Sequence, residues 1–469
     1  MRSRTAKLST IAATCGAVVL SACSSGTDAA PATVTAKVTV ADTQPGRTQS
    51  GNTQPGSTQP GAGGTGSTDA GGPAAAGSGG SGTAPASSGA TGSKPATDTS
   101  SSAPATATKA GTASFDNPVD GQKLPDGFVP HKLKPGQKPP QFVVVSFDGV
   151  GWDEKWQYWF DISKKVPFRF TGFLSGTYLL SDQTKLNYQP PKHDRGSSDI
   201  NWNLPEDLPV EIDDLNSALA AGNEIGTHFN GHFCGAGGGS EWTEADWNQE
   251  LDQFFSLLAN YQKNNNISKK LNLTKDDIKG ERTPCLEGTE EALFPALKKH
   301  GLEYDSSFTK RGISWPKQSP KYKIWQIGMA EFPMHGTITG NTDLPPEART
   351  NHFQITMDYN FWYSQEQARS ASPEQSKKDS QQVVDTYQDM YDATFNGNRA
   401  PLILGNHFNQ WNNNAYSDAI GAFVLQTCGK PDTQCVPFRD LIAWMKVQDP
   451  ARLAQLQNQP PELGKGNAG

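Results

Sequence analysis

The sequence predicts an α/β fold whose parallel strands are closed or partly closed into a barrel. Residues 136–448 hold nearly all the aromatic residues and periodic segments, a length that is normal for one α/β barrel. Within them, 141–147 (QFVVVSF) is a continuous β-branched run typical of a strand buried on both faces. Amphipathic helices alternate with such runs. This alternation implies parallel strands, with active residues on the loops that follow the strands' carboxyl ends.

The chain begins with an export signal. A basic cluster at residues 2–7 (RSRTAK) precedes an apolar run, 8–20, that is too short to span a bilayer. The run ends in LSAC at 20–23, which resembles the lipobox of bacterial lipoproteins, so cleavage after residue 22 would leave Cys23 as a lipidated first residue. The alternative is an ordinary signal peptide with a cysteine near its cleavage site. The favoured prediction is an exported protein, lipid-anchored to the outer face of the bacterial cell membrane.

Residues 23–135 are rich in Gly, Ser, Thr, Pro and Ala, with a degenerate repeat (TQPGRTQSGNTQPGSTQPG) at 43–61. A segment of this composition cannot bury enough apolar surface to offset its ordering entropy, so it is predicted to be a disordered tether. Its root-mean-square reach would be roughly 55–60 Å. Residues 449–469, rich in Gln, Asn, Pro and Gly, are predicted to be a disordered tail.

Capping residues and periodicity predict the elements of the barrel. Thr243, Thr289 and Ser372 can each cap the first turn of a helix, and Gly301 suits a helix C-terminus. In chain order, the predicted elements are a strand at 141–147, a helix at 153–164, strands at 166–174 and 224–227, helices after Thr243, from Thr289 to Gly301 and after Ser372, and a strand at 401–405.

Four cysteines remain in the exported domain after signal cleavage, apart from Cys23. An even number in a compartment that favours disulfides predicts bonded pairs, and four cysteines allow three pairings. Cys428 and Cys435 flank a Gly/Pro turn and could close a small loop. A bond between Cys234 and Cys285 would staple two loops of the candidate site. A cysteine-based zinc site is the alternative, disfavoured because no CxxC spacing occurs.

The stretch 223–233 (NEIGTHFNGHF) holds two histidines, His228 and His232, four residues apart. On a helical turn this spacing brings two side chains to roughly 5–6 Å, whereas on a strand it separates them by roughly 13 Å. A shared metal ion therefore requires the strand 224–227 to end in a turn, which Gly226 and Gly231 make plausible. The alternative is a pair of surface or packed histidines with accidental spacing.

The net charge of −7 and the pI near 5.7 argue against a nucleic-acid or polyanion partner. No basic stripe occurs outside the signal peptide. The protein is expected to be monomeric.

Several motifs together resemble the polysaccharide deacetylase family, a group of metal-dependent carbohydrate esterases (family 4). In the family's order they are SFDGVG at 146–151, THFNGH at 227–232, ERTPC at 281–285, YDSS at 304–307, WQIGMAEFPM at 325–334 and LILGNHFNQW at 402–411. The pattern is closest to the chitin deacetylase branch. The resemblance implies a distorted (β/α) barrel that removes N-acetyl or O-acetyl groups from a chitin-like or cell-envelope polysaccharide such as peptidoglycan.

The resemblance also implies roles for single residues. His228 and His232 would bind a divalent metal ion, for which zinc is expected. Asp148 lies where the family has its general base, His407 where it has its general acid, and Arg282 where an arginine orients the aspartate. These residue types suit those roles, since a carboxylate beside a cation stays ionised and a histidine titrates near neutral pH.

Three tryptophans, Trp411, Trp315 and Trp325, are candidates for stacking on sugar faces. Packing in the core at the bases of loops is the alternative for each.

One position departs from the family pattern. The first motif usually has two adjacent aspartates, one a base and one a metal ligand, but Asp148 is followed by Gly149. One alternative is that Asp148 itself binds the metal, with water or Asp153 completing the site, since two histidines and one carboxylate are an adequate zinc set. The base would then have to be Asp153, Asp199 or Glu241. The alternative function is a non-catalytic, glycan-binding lipoprotein with a degenerate deacetylase domain.

Overall fold

The structure, a computed structural model, describes residues 113–464 of the 469-residue chain. The predicted signal peptide, Cys23, the tether up to residue 112 and residues 465–469 lie outside the described residues. Between residues 113 and 464, no helix is both long and apolar enough to cross a membrane.

Twelve strands are present in the described part of the chain: β1 (Gln141–Asp148), β2 (Thr171–Leu174), β3 (Glu224–Thr227), β4 (Gly280–Glu281), β5 (Tyr304–Asp305), β6 (Thr309–Arg311), β7 (Lys317–Gln318), β8 (Trp325–Gln326), β9 (Met329–Pro333), β10 (Phe353–Ile355), β11 (Leu402–His407) and β12 (Thr433–Cys435). The α-helices between residues 113 and 464 are α1 (Asp153–Ser163), α2 (Leu208–Ala220), α3 (Glu244–Asn265), α4 (Glu290–His300), α5 (Pro346–Arg349), α6 (Asp358–Glu366), α7 (Pro373–Asn396), α8 (Trp411–Thr427), α9 (Phe438–Val447) and α10 (Pro450–Gln457).

The main sheet is a curled half-barrel of parallel strands in the order β11-β1-β2-β3-β4-β5-β8-β7, with β12 beside the first half of β1. Its neighbouring strands are parallel except for the β7–β8 pair. The predicted α/β fold class is therefore confirmed, and the barrel is partly closed, because β11 and β7 form its two edges. A second, three-stranded sheet has the order β10-β9-β6.

The central strand β1 is buried over all eight residues, as its unbroken apolar run predicts. Phe147 packs against Trp159 of α1 at 4.4 Å and against Phe170 at 5.2 Å between ring centroids. This aromatic packing joins α1 to the sheet directly behind the loop that follows β1.

The helix caps follow the sequence closely. The side chains of Thr243, Thr289 and Ser372 each accept a hydrogen bond from the first turn of α3, α4 and α7, respectively. Gly301 ends α4 in the left-handed conformation. The second strand is shorter than predicted, because residues 166–170 make only an isolated bridge from Phe168 to Cys435 before β2 begins.

The predicted boundary at residue 136 is wrong. Residues 113–135, the amino-terminal strap, fall within the tether that composition predicts, yet they pack on the domain. Leu124, Phe128 and Leu133 are buried, and the Asp126 carboxylate contacts Arg169 at 2.6 Å. Composition misses such a segment because a few well-spaced apolar side chains and one ion pair suffice to hold it against an existing core.

The predicted boundary at residue 448 is also wrong for residues 449–464. They form α10, whose Leu456 is buried, and the residues after α10 contact the domain again. There Ile313 and Glu462 exchange two backbone hydrogen bonds of 2.9 Å each. Pro450 at the first helical position is a helix-start signal that the polar composition obscured.

Candidate active site

Four candidate residues lie together at the carboxyl edge of the sheet. Asp148 and His407 are the last residues of the neighbouring strands β1 and β11 and are directly paired in register. His228 follows β3 and Arg282 follows β4, whose residues Thr227 and Glu281 are paired in register. Because the carboxyl ends of parallel strands meet at one edge, residues up to 259 positions apart converge there.

Asp148 is buried and bound to Arg282. The guanidinium Nη1 donates to Asp148 Oδ1 at 2.8 Å, while Nε and Nη2 donate to the backbone oxygen and hydroxyl of Ser306 at 3.0 and 2.9 Å. Burial raises the pKa of Asp148, but the Arg282 guanidinium, followed by His228 and His407, lowers it by more, so that the pKa lies below its usual value. Asp148 is therefore ionised at neutral pH and can accept a proton.

His407 is oriented by a residue that the sequence did not reveal, Asp358. The Asp358 carboxylate lies 2.7 Å from His407 Nδ1, and its second oxygen accepts the His407 backbone N–H at 2.8 Å and the Asn409 amide at 2.8 Å. His407 Nε2 lies 4.0 Å from Asp148 Oδ2. With Nδ1–H donated to Asp358, Nε2 is the ring nitrogen that faces Asp148.

Asp358 has no local sequence signal. It is the first residue of α6 and lies 49 positions before His407. The two residues are joined only by tertiary structure, at the bridge between Met357 and Gly405.

His228 and His232 lie on a tight turn after β3. Their ring centroids are 5.1 Å apart, at the short distance that a shared ion requires. His228 Nδ1 lies 2.8 Å from the Arg282 backbone oxygen, and its buried Nε2 has no hydrogen-bond partner. Burial lowers the pKa of His228 to about 4, although Asp148 opposes the shift. The imidazole is therefore neutral at pH 7, with a lone pair on a buried, unpartnered nitrogen, which is the form that binds a metal ion.

These observations fit a metal ion at the two histidines but leave its third ligand open. Across residues 113–464, the group whose possible ligand atoms all lie within 4.8 Å is His232, Cys234 and Cys285, and Asp148 does not form such a group with the histidines. The two sulfur atoms in that group are bonded to each other, so they are not thiolate ligands here.

Of the three substitute carboxylates, Asp199 is the one near His232. Its backbone N–H donates to the Gly231 oxygen at 2.8 Å. Burial raises the pKa of Asp199, while His193 and His232 act to lower it. Asp153 instead contacts Gln157 at 3.0 Å on α1, and Glu241 accepts the Gly237 N–H at 3.0 Å.

Both disulfides considered in the sequence form in the structure. Cys234–Cys285 joins the loop after β3 to the loop after β4, so it staples the histidine loop to the arginine loop. Cys428–Cys435 closes a short turn between α8 and β12, near the amino end of β1. One disulfide therefore lies near the carboxyl ends of the sheet strands and the other near their amino ends.

The tryptophans divide between site and core. The Trp411 ring lies 5.0 Å from His407 and stacks on Trp362 at 5.1 Å with an interplanar angle of 19°. Trp315 is 2% exposed, donates to the Asn398 oxygen at 3.0 Å and stacks on Trp444, so its predicted role in substrate binding is wrong. Trp325 is also buried. The sequence does not distinguish a tryptophan at the site from one in the core, because burial of a tryptophan depends on packing partners that are distant in sequence.

Comparison with known proteins yields no matching family model and no matching curated protein. Solved structures that resemble the chain include a putative polysaccharide deacetylase from Mycobacterium smegmatis, with 12% identity over 72% of this chain and 98% of that one and a TM-score of 0.39. A family 4 carbohydrate esterase from Streptomyces lividans in complex with acetate has 12% identity over 63% and 91% and a TM-score of 0.31. A CE4 family pseudoenzyme from Bacillus anthracis has 9% identity over 67% and 71% and a TM-score of 0.33. These similarities are too low to support an activity.

Proposed function

We propose that this chain is a metal-dependent hydrolase of the polysaccharide deacetylase family that removes acetyl groups from an N-acetylated polysaccharide. The observation that supports it best is the pair Asp148 and His407, each held by its own partner, Arg282 or Asp358, beside the unpartnered Nε2 of His228. A carboxylate and an imidazole with separate orienting groups are what acid–base catalysis requires. The order of the sequence motifs supports the assignment to this family and to its chitin deacetylase branch.

The proposed reaction uses these residues as follows. A divalent ion at His228 and His232, for which zinc is favoured, would polarise the acetyl carbonyl. Asp148 accepts a proton from the water that attacks the carbonyl carbon. His407 donates a proton from Nε2 to the sugar nitrogen as the carbon–nitrogen bond breaks, which gives acetate and a free amine. Arg282 keeps Asp148 ionised before the attack, and Asp358 holds His407 with Nε2 toward the reacting group.

Trp411 is the proposed sugar-stacking residue. It is partly buried, lies beside His407 and is supported from behind by Trp362. An aromatic face next to the acid fits the apolar face of a pyranose ring.

The proposed location is the outer face of the bacterial membrane, with the lipid on Cys23 as anchor and with a cell-envelope or chitin-like glycan as partner. Replacement of Cys23 by Ala should release the chain from the membrane fraction. Unchanged membrane association of that variant would contradict the anchor.

The second candidate function is glycan binding without catalysis. It is favoured by Gly149, which leaves Asp148 without the adjacent aspartate, and by the absence of a compact Asp148–His228–His232 group within residues 113–464. In this case Asp148 would act only in the ion pair with Arg282.

The test combines metal analysis of the purified protein with acetate release from chitin oligomers and from peptidoglycan. For an enzyme, His228→Ala should lose both metal and acetate release, because a single histidine binds a divalent ion poorly. His407→Ala should keep the metal and lose turnover by roughly 100- to 10,000-fold, the contribution typical of a general acid. A wild-type protein that binds chitin oligomers but neither holds metal nor releases acetate would favour the second function.

A further inference from the structure

The loop between His228 and His232 has a complete set of hydrogen bonds to its surroundings. Residues 229–231 carry six backbone polar groups, and each is bonded to a group outside these three residues. Four of the bonds join the loop to β3 and to nearby segments of the chain: Phe229 N–H to Thr227 Oγ1 at 2.9 Å, Gly176 N–H to the Phe229 oxygen at 2.7 Å, Thr177 Oγ1 to the Asn230 oxygen at 3.1 Å, and Asp199 N–H to the Gly231 oxygen at 2.8 Å.

The other two bonds depend on one buried carboxylate, Glu250 of α3. The Asn230 N–H donates to Glu250 Oε1 at 3.1 Å. The Gly231 N–H donates to the Tyr188 hydroxyl at 3.2 Å, and that hydroxyl donates to Glu250 at 2.8 Å. The Glu250 backbone oxygen also accepts from the Asn230 side chain at 2.9 Å. Glu250 and Tyr188 are both 0% exposed.

The surroundings impose the shape of this loop. Phe229 and His232 have φ values of 56° and 59°, in the left-handed region that bulky residues rarely adopt. A Cβ atom at Gly231 would lie 2.5 Å from the Phe233 ring and 3.0 Å from Tyr188. A backbone in this conformation persists only where neighbouring groups hold it. His228 and His232 flank the segment 229–231, whose backbone these contacts hold in place.

The carboxylate is also costly to bury. Burial raises the pKa of Glu250 to about 7, although hydrogen bonds from Asn230, Tyr188 and Gly231 oppose the rise. A glutamine or an apolar residue would avoid this cost, but glutamine offers one acceptor oxygen where the carboxylate offers two, and an apolar residue offers none. The arrangement therefore serves the loop rather than the core.

We propose that Glu250 and Tyr188 are positioning residues, which fix the loop so that His228 and His232 point at a common ligand. The metal part of this inference rests on the proposed function. Neither residue touches the reacting atoms. Both act through the backbone N–H groups of Asn230 and Gly231.

The test is the variant Tyr188→Phe with Tyr304→Phe as matched control. Tyr304 is an equally buried tyrosine whose hydroxyl donates to a buried carboxylate, Glu224, at 3.2 Å, but it does not contact the histidine loop. Binding of Co²⁺ to the purified full-length chain is followed by titration and by the visible absorption of the bound ion. Tyr188→Phe should weaken binding on the order of tenfold and change the absorption spectrum, as loss of an outer partner commonly does. Tyr304→Phe should change neither, while it lowers the melting temperature by a similar amount.

A second variant, Glu250→Gln, tests partial rescue. The amide oxygen can still accept from Asn230, but it is then the one acceptor left for the Tyr188 hydroxyl too, because the amide nitrogen only donates. Its Co²⁺ affinity should therefore lie between those of the wild type and Glu250→Ala. Equal Co²⁺ affinity and spectra in Tyr188→Phe and wild type, or equal losses in Tyr188→Phe and Tyr304→Phe, would overturn the positioning role and leave the proposed function intact.

If the wild type binds no Co²⁺, the metal function fails, and the loop itself decides the inference. Amide hydrogen exchange of the 227–233 segment, measured by mass spectrometry on metal-free protein, should be at least tenfold faster in Tyr188→Phe than in Tyr304→Phe. Equal exchange rates would refute the positioning of the loop.

Discussion

Two buried groups of arginine and aspartate lie at opposite edges of the same sheet. The site cluster at the carboxyl edge consists of Asp148, Arg282, His407 and Asp358. The strap cluster at the amino edge consists of Asp126, Arg169, Arg439 and Asp440. In the strap cluster, Arg169 contacts Asp126 and Asp440 at 2.6 Å each, and Arg439 contacts Asp126 at 3.4 Å.

The difference between the clusters lies in what the aspartates face. In the strap cluster, both guanidinium arms of Arg169 bind carboxylates, and Arg439 also donates to the backbone oxygens of Gly222 and Asn223. In the site cluster, Arg282 binds one oxygen of Asp148, while the other oxygen faces His407 at 4.0 Å. Charges that are bound to one another and to backbone groups hold chain segments together, whereas a carboxylate directed at an imidazole can exchange protons.

The same substitution in each cluster should give the largest contrast. Asp148→Asn removes the proposed base and should reduce acetate release by roughly 100- to 10,000-fold. Asp126→Asn should leave turnover of the folded protein unchanged but lower the free energy of unfolding by roughly 3 kcal/mol, because the buried Arg439 and the partly buried Arg169 both lose a charged partner. Turnover assays and denaturant unfolding of both variants measure the contrast. Equal losses of activity in both would show that the two clusters are not distinct in role.

Deletion of the amino-terminal strap tests the strap cluster by removing a whole segment instead of one side chain. A chain that begins at residue 136 loses Asp126 together with the buried Leu124, Phe128 and Leu133. We expect it to be less stable than a chain that begins at residue 113 by about 3–5 kcal/mol, because the burial of these apolar side chains and the ion pairs of Asp126 are lost together. Calorimetry of the two chains tests this. Identical melting temperatures would mean that the strap contributes nothing.

The two disulfides, one at each edge, should differ in their effect on stability. Cys234–Cys285 encloses a sequence separation of 51 residues and Cys428–Cys435 one of 7. By the chain-entropy model, replacement of the cysteines by serine should cost about 4 kcal/mol for the first pair and about 2 kcal/mol for the second. Unfolding of the two double variants under identical conditions gives the comparison. Only the first replacement should also reduce activity, because it frees the histidine loop from the arginine loop.

The smallest expected effect concerns pH. In the wild type, Arg282 is the chief group that lowers the pKa of Asp148, and burial acts in the opposite direction. Without the arginine, burial should raise the pKa above its ordinary value, so Asp148 becomes protonated at a higher pH and the base is lost in mild acid. Arg282→Gln should therefore move the acid limb of the pH–activity profile upward and reduce activity at pH 5 by roughly tenfold relative to pH 7. Arg282→Lys, which keeps the charge, should move that limb less.

Sequence was sufficient where the signal is local or repeated. The buried run of β1, the caps at Thr243, Thr289 and Ser372, and the alternation of elements define the α/β class. The two-residue strands β4, β5, β7 and β8 have no such signal, because strands this short are set by pairing with their neighbours rather than by their own composition.

The candidate site was predictable only in part, because contacts between residues that are distant in sequence leave no local signal. Asp148, His228, Arg282 and His407 fall in ordered motifs and converge in space. Asp358 acts on His407 across 49 residues, so only the fold reveals it. Trp315 resembled a ligand-stacking residue but packs against Trp444. The strap was missed because its stabilising groups, above all Asp126, are single residues in a Gly- and Pro-rich segment.

The strap also sets where the described chain enters the domain. Asp116 contacts Lys279, just before β4, and the Phe115 oxygen accepts from Lys446 of α9, so the described chain enters at the amino edge. The eight residues of β1 separate that edge from Asp148 by roughly 25 Å. A chain attached to a support at residue 113 itself would thus hold its candidate site on the far side of the domain, where an insoluble polymer could reach it without steric competition from the support.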